Sequence, residues 1–166
     1  LPSGEGWRRL DGTRIEGPGR PVGLAVDVGT TNLAAALVDL VTGEVLATAA
    51  KGNPQGAWGA DVISRLERAL HAEATRRDLA RAVLSAIEEL GAELTDGAPE
   101  TVQELSLVGN TVMQHLLLGL PVEGLARAPY RPEVLDAAER SAAELGLFFA
   151  PGARVRRTDL RLVGLD

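Results

Sequence analysis

Short strand-length apolar runs followed by longer amphipathic stretches predict one mixed-sheet α/β domain. Three observations carry this reading. Three strand-length runs stand in tandem between Val22 and Ala50, and two stretches with apolar residues at helical spacing follow them. A further apolar run, Val102 to Val108, then leads straight into a short apolar helix. The order reads βββ-α-α-β-α-(α)-β without internal repeat, and 166 residues, 45% of them hydrophobic, suffice for such a core.

Val22 to Val28 is a nearly unbroken apolar run ending in Gly29-Thr30-Thr31-Asn32, the pattern of a strand buried on both faces. Leu33 to Val38 follows at once, Asp39 to Gly43 carries turn residues, and Glu44 to Ala50 alternates more, so an antiparallel meander is expected. After a loop from Asn53 to Gly59, Asp61 stands as a helix N-cap before Val62, Ile63, Leu66 and Leu70. Leu79, Val83, Ile87 and Leu90 trace a second amphipathic helix that stops near Gly91. Val102 to Val108 is the fourth strand, and Gly109-Asn110-Thr111 turns into a helix over Val112 to Leu118, closed by Gly119 and Pro121. Val134, Leu135, Ala138, Ala142 and Leu145 predict a further helix over Glu133 to Gly146, and Ala153 to Thr158 a fifth strand.

Residues 1–20, mostly Gly, Pro, Arg and polar, predict a linker, residues 21–158 the folded lobe and residues 159–166 a divergent tail. The chain opens at Leu1 and is expected to be a piece of something longer. Its 17 Lys+Arg against 23 Asp+Glu give a net charge of −6, the wrong sign for coating a nucleic acid. Zero cysteines exclude disulfides, thiolate zinc sites and any iron–sulfur cluster ligated by this segment. Leu105 to Gly124 is broken by Gly109, Asn110, Gln114, His115, Gly119 and Pro121, so it does not read as a membrane span. Nothing at the start resembles a signal peptide, and a cytoplasmic address is expected.

The most informative residue is Asp27. A carboxylate at the end of an apolar strand is costly unless hydrogen bonds or a cation satisfy it. Gly29 next to it permits close backbone approach, and Thr30, Thr31 and Asn32 add hydroxyl, amide and backbone donors in a tight turn. Donors around a carboxylate suit a magnesium-bound phosphate, with Asp27 holding the metal directly or through water, or orienting an attacking water. The Walker pattern is absent, and the plainer reading, a hairpin turn that Asp27 caps locally, stays open.

The run from Val22 to Asn32 (VGLAVDVGTTN), followed by Val38-Asp39 and Thr42 to Val45 (TGEV), resembles the first phosphate motif of the acetate and sugar kinase, heat-shock-70 and actin (ASKHA) superfamily. Two further stretches narrow the likeness: Asn53-Pro54-Gln55 with Gly59 to Arg65, and Leu107 to Met113 with His115 to Leu120. From about Gly23 to Ala153 the chain is similar to the ATPase domain of ferredoxin-linked reductive activators of corrinoid proteins. The resemblance implies a ribonuclease-H-like mixed five-stranded sheet with flanking helices, the first lobe of an actin-like ATPase fold. It implies ATP and magnesium as cofactors, with Asp27 as the catalytic and metal-holding acid. Gly29, Thr30, Thr31 and Asn32 would be the phosphate turn, and Gly109, Asn110 and Thr111 a second turn facing the nucleotide. The implied partners are nucleotide and a corrinoid protein, with a homodimer left open; the iron–sulfur cluster would belong to an N-terminal domain missing here.

Alternatives to this reading are a sugar-kinase-type phosphotransferase lobe and a truncated, non-catalytic remnant. The tail from Arg154 onward departs from the family, which truncation or a frame change would explain. Asn110 and Asp61 are also natural helix N-caps, and Met113 reads as core. Trp58 reads as a loop anchor over the core, His71 and His115 as ordinary helix residues, and Arg76-Arg77 and Arg154-Arg156-Arg157 as solvated surface.

Overall fold

The first strand, β1 (Val22–Val28), points Leu24, Val26 and Val28 inward and leaves Ala25 and Asp27 exposed. It is therefore covered on one face only, which corrects the expectation of two buried faces. In this computed structural model the described residues are 8, 12–15, 19–132, 138–150 and 152–157. β1 is followed by β2 (Asn32–Asp39) and β3 (Val45–Gly52), paired antiparallel in the expected meander. Asp39 closes the β2–β3 hairpin: its carboxylate accepts from the Val41 and Thr42 N–H groups and pairs with Arg20. Burial alone would raise the Asp39 carboxyl, but those two hydrogen bonds and the Arg20 charge together hold it below its ordinary value.

Two helices cross one face of this sheet. α1 (Val62–His71) starts at a reciprocal capping box, in which Asp61 accepts from the Ser64 N–H and the Ser64 hydroxyl faces back to the Asp61 N–H. α2 (Glu73–Leu94) buries Leu79, Val83, Ala86, Ile87 and Leu90, one stripe at 3.6-residue spacing. It runs through Gly91, where sequence alone predicts its end. Phe149 lies so close that a Cβ on Gly91 would stand 2.8 Å from its ring, so this glycine serves close approach. The helix ends instead at Leu94, and the turn after it closes at Gly97, whose backbone is left-handed (φ +83°) and whose N–H donates to Ala92 O.

β4 (Val102–Gly109) lies parallel to β1, and α3 (Thr111–Leu117) follows it directly. A short helical turn, α4 (Glu123–Ala126), comes next. Residues 138–141 form β5 (Ala138–Ser141), antiparallel to β6 (Arg154–Arg157), which itself runs parallel to β4. The sheet thus has six strands in the order β3-β2-β1-β4-β6-β5, with the added edge strand where a helix is predicted. The apolar residues that suggest a helix there are used otherwise: Ala142 is buried beyond the strand, and Ala143–Leu145 make a single 3-10 turn. Residues 133–137 of that helix, the tail 159–166 and most of the linker 1–20 lie outside the described residues.

One cluster fills the space between sheet and helices, with Leu24, Val26, Leu33, Leu105 and Leu107 meeting Leu79, Val83, Ile87, Met113 and Leu116. Each such side chain, fully withdrawn from water, contributes about 1.5–3 kcal/mol. Met113 is core, as read from sequence, and half-buried Trp58 packs against the same cluster. Arg76 is not a plain surface residue, since it pairs with Glu123 at 2.9 Å. Arg154 and Arg156 likewise pair with Glu139 across the β5–β6 edge. Among the described residues no helix is long and apolar enough to cross a membrane.

Candidate functional site

The site lies where β1 and β4 end side by side. These strands are parallel neighbours with Val28 opposite Gly109, and each runs into a turn beginning with glycine. Such a carboxyl-terminal edge is where open α/β sheets bind ligands. Both glycines are required by close approach. A Cβ on Gly29 would sit 2.6 Å from Asn32 O, and one on Gly109 would sit 2.8 Å from Val28 O. Gly29 to Asn32 forms the first turn, with Thr31 and Asn32 exposed and Thr30 half-buried. Gly109 to Thr111 forms the second, with Asn110 exposed and Thr111 buried beneath it.

The sequence-expected residues are therefore brought together. Asn110 Nδ2 lies 3.4 Å from Thr30 Oγ1, linking the turns directly, while Asn110 Oδ1 accepts from the Met113 N–H at 2.9 Å and caps α3. Thr111 O is engaged by His115 Nδ1 at 2.8 Å, so fully buried His115 is tied into its own helix.

Asp27 points away from the helices, onto the uncovered face of the sheet. That face is a shallow groove of about 610 Å³ lined by small side chains, among them Ala25, Ala34, Ala36, Thr48, Ala50 and Ser106. No described residue donates a hydrogen bond to the Asp27 carboxylate. The expected burial of this residue is thus corrected, since the alternation of β1 places it in the open, and a local cap on the hairpin has no hydrogen bond to rest on. A solvent-facing carboxylate beside two donor-bearing turns fits magnesium, which is typically held by one or two carboxylates together with substrate phosphates and water. It does not fit a metal caged by protein alone, and among the described residues no three His, Cys, Asp or Glu gather.

Beneath the turns lies a buried polar layer to which the sequence reading gave no role. Asn53 donates from Nδ2 to Gly29 O at 2.8 Å and from its backbone N–H to Thr31 O at 2.7 Å, and accepts from the Gln55 N–H. Gln55, fully buried, donates to Leu79 O on α2. Gln114 donates to Gly109 O at 2.7 Å. Arg65, only 1% exposed, donates from Nε to Gly59 O and reaches Met113 Sδ with Nη1. Burial pushes its guanidinium below its ordinary value and Asp61 partly offsets this; it remains charged. A signal for Arg65 was present, since it falls three residues after Val62 on the helix stripe that Leu66 and Ala69 continue. Gln114 gave none beyond standing inside an otherwise apolar run.

Comparison with known proteins bears on the fold and the family. Residues 22–160 match a family model described as the RACo middle region. A solved structure titled "Reductive activator for corrinoid,iron-sulfur protein" superposes with a TM-score of 0.81 at 33% identity, covering 89% of this chain and 24% of that one. The corrinoid activation enzyme RamQ of Eubacterium limosum is 30% identical over 111 residues, 65% of this chain and 19% of RamQ. The chain thus spans a quarter or less of either relative. With the family model matched over residues 22–160, well over half of the chain, this chain belongs to the RACo middle-region family.

Proposed function

We propose that this chain is the nucleotide-binding first lobe of an ATP-dependent reductive activator of corrinoid proteins. The observation that supports this most is the pairing of an unshielded carboxylate, Asp27, with two glycine turns at the ends of adjacent parallel strands. Asp27 would hold magnesium, directly or through water, or orient the attacking water. The Thr30 and Thr31 hydroxyls, the Asn32 amide and the turn N–H groups donate to phosphate oxygens, and Gly29 and Gly109 let the backbone come close to them. Asn110 and Thr111 complete the second turn. Magnesium, when bound, neutralises phosphate charge during hydrolysis.

The relatives are named for activating corrinoid proteins, and that partner is carried over here as part of the proposal. With zero cysteines this chain cannot ligate an iron–sulfur cluster. In this reading the single electron that takes cobalt from Co(II) to Co(I) would come from a ferredoxin module outside it, as the resemblance to the reductive activators implies. Nucleotide contributes by binding two states of the protein unequally, since only differential affinity shifts such an equilibrium. The test is anaerobic: the longer protein that contains this lobe is mixed with a Co(II) corrinoid protein, a reductant and Mg-ATP. Co(I) absorbance that appears with ATP and not without it is the expected result. ATP consumption strictly dependent on a sugar would instead mark a phosphotransferase and overturn the proposal.

A further inference from the structure

We infer that the buried guanidinium of Arg65 supplies positive potential to the site, attracting a bound polyanion through its field from behind the first turn rather than by contact. The turns themselves offer hydroxyls, amides and N–H groups, but residues 29–32 and 109–111 include no lysine or arginine. With Asp27 beside them their formal charge is negative, in a chain whose net charge is itself −6. Lys51, opposite Leu33 just past the first turn, is paired with Glu89. The cation that the turns lack lies one layer below them.

Arg65 is 1% exposed, and among the described residues no carboxylate forms an ion pair with it. Asp61, whose charge acts on it, is exposed and engaged as the N-cap of α1. Of the five guanidinium N–H groups, the one on Nε donates to Gly59 O at 2.8 Å and one on Nη1 reaches Met113 Sδ, a weak acceptor, at 3.6 Å. The other three have no acceptor among the described residues. From Met113 Sδ the path to the turn is short: Asn53 Nδ2 lies 4.0 Å from the sulfur and donates to Gly29 O at 2.8 Å. Core filling does not call for a charge here, since Leu66 and Ala69 continue the same buried stripe and an unpaired buried cation is costly. What the guanidinium adds is a fixed charge whose field crosses protein instead of water and is weakened less on the way to the turn.

The choice of ligand rests on the nucleotide reading above. Because a field acts in proportion to ligand charge, the experiment is calorimetric binding of adenosine, Mg-ADP and Mg-ATP, each more negative than the one before, to the longer protein that contains this lobe. Wild type is compared with Arg65→Met and Arg65→Lys. In Arg65→Met affinity should fall about tenfold for Mg-ATP, about threefold for Mg-ADP and not at all for adenosine, whereas Arg65→Lys, which keeps the charge, should stay within about twofold of wild type for all three. Losses of equal size for the three ligands would mark a structural role and overturn the inference, as would wild-type affinity for Mg-ATP in Arg65→Met. Should Arg65→Met fail to fold, Arg65→Gln, which retains a donor for Gly59 O, decides by the same ratios; failure of both to fold would assign the guanidinium to the fold and overturn the inference too. A wild type that binds none of the three counts against the nucleotide reading, and magnesium pyrophosphate then takes their place. A loss of about tenfold for it in Arg65→Met upholds the inference, and equal binding or none overturns it.

Discussion

The two faces of the sheet differ in what their side chains are for. One face carries Leu24, Val26, Leu105 and Leu107, each at most 1% exposed and covered by α1, α2 and α3. The other carries Ala25, Asp27, Ser106 and Val108 from the same two strands, all exposed. Because side chains alternate along a strand, neighbours in sequence belong to different faces. Burial that stabilises the fold is thus concentrated on one face, and the other, with its small residues and the Asp27 carboxylate, is the face that the proposal gives to a ligand. Alternation alone keeps the two tasks one residue apart.

The sharpest way to break this comparison is at adjacent positions. Leu107→Ala leaves a cavity under α3 and should lower unfolding free energy by about 2–5 kcal/mol. Val108→Ala, one residue on, should change it by no more than about 0.5 kcal/mol. Urea denaturation of the two variants side by side measures the difference, and similar losses at both positions would show that the open face is part of the stabilising core.

A smaller effect is expected far from both faces, at the Asp39 hairpin. Its folded pKa lies below the unfolded one, so the stabilisation it brings is fully present above the unfolded value of about 3.9 and is lost as pH falls through the folded value. The gap in urea midpoint between wild type and Asp39→Asn should therefore hold from pH 7 down to about pH 4 and close below it. A gap that persisted at pH 2 would assign the Asp39 contribution to its geometry rather than its charge.

How much could be read beforehand follows from what is local. The caps Asp61 and Asn110 were legible because a cap is a pattern of a few adjacent residues. The meander and the existence of β4 were legible because apolar runs and turn residues mark their ends, whereas the parallel pairing of β4 with β1 was not read. The stretch 138–145 was misread because Ala138, Ala142 and Leu145 satisfy helical spacing while the strand there is made by pairing with β6, a partner distant in sequence. Gly91 was misread for the same reason, since the ring that requires it belongs to Phe149. Asp27 and both glycine turns were legible as the ends of strands, but not which face Asp27 occupies. An unbroken apolar run hides alternation when its open-face members are alanines. Asn53 reaches Gly29, 24 residues away, only once β1, β2 and β3 have paired.

The account turns on Asp27, whose carboxylate touches no described partner and so should add nothing to stability. The direct test measures thermal unfolding and Mg-ATP binding on the same preparations of wild type and Asp27→Ala. The expected result is an unfolding midpoint equal to or above that of wild type, with magnesium-dependent nucleotide binding lost. An Asp27→Ala protein that unfolds at a clearly lower temperature, or that binds Mg-ATP as wild type does, would contradict it.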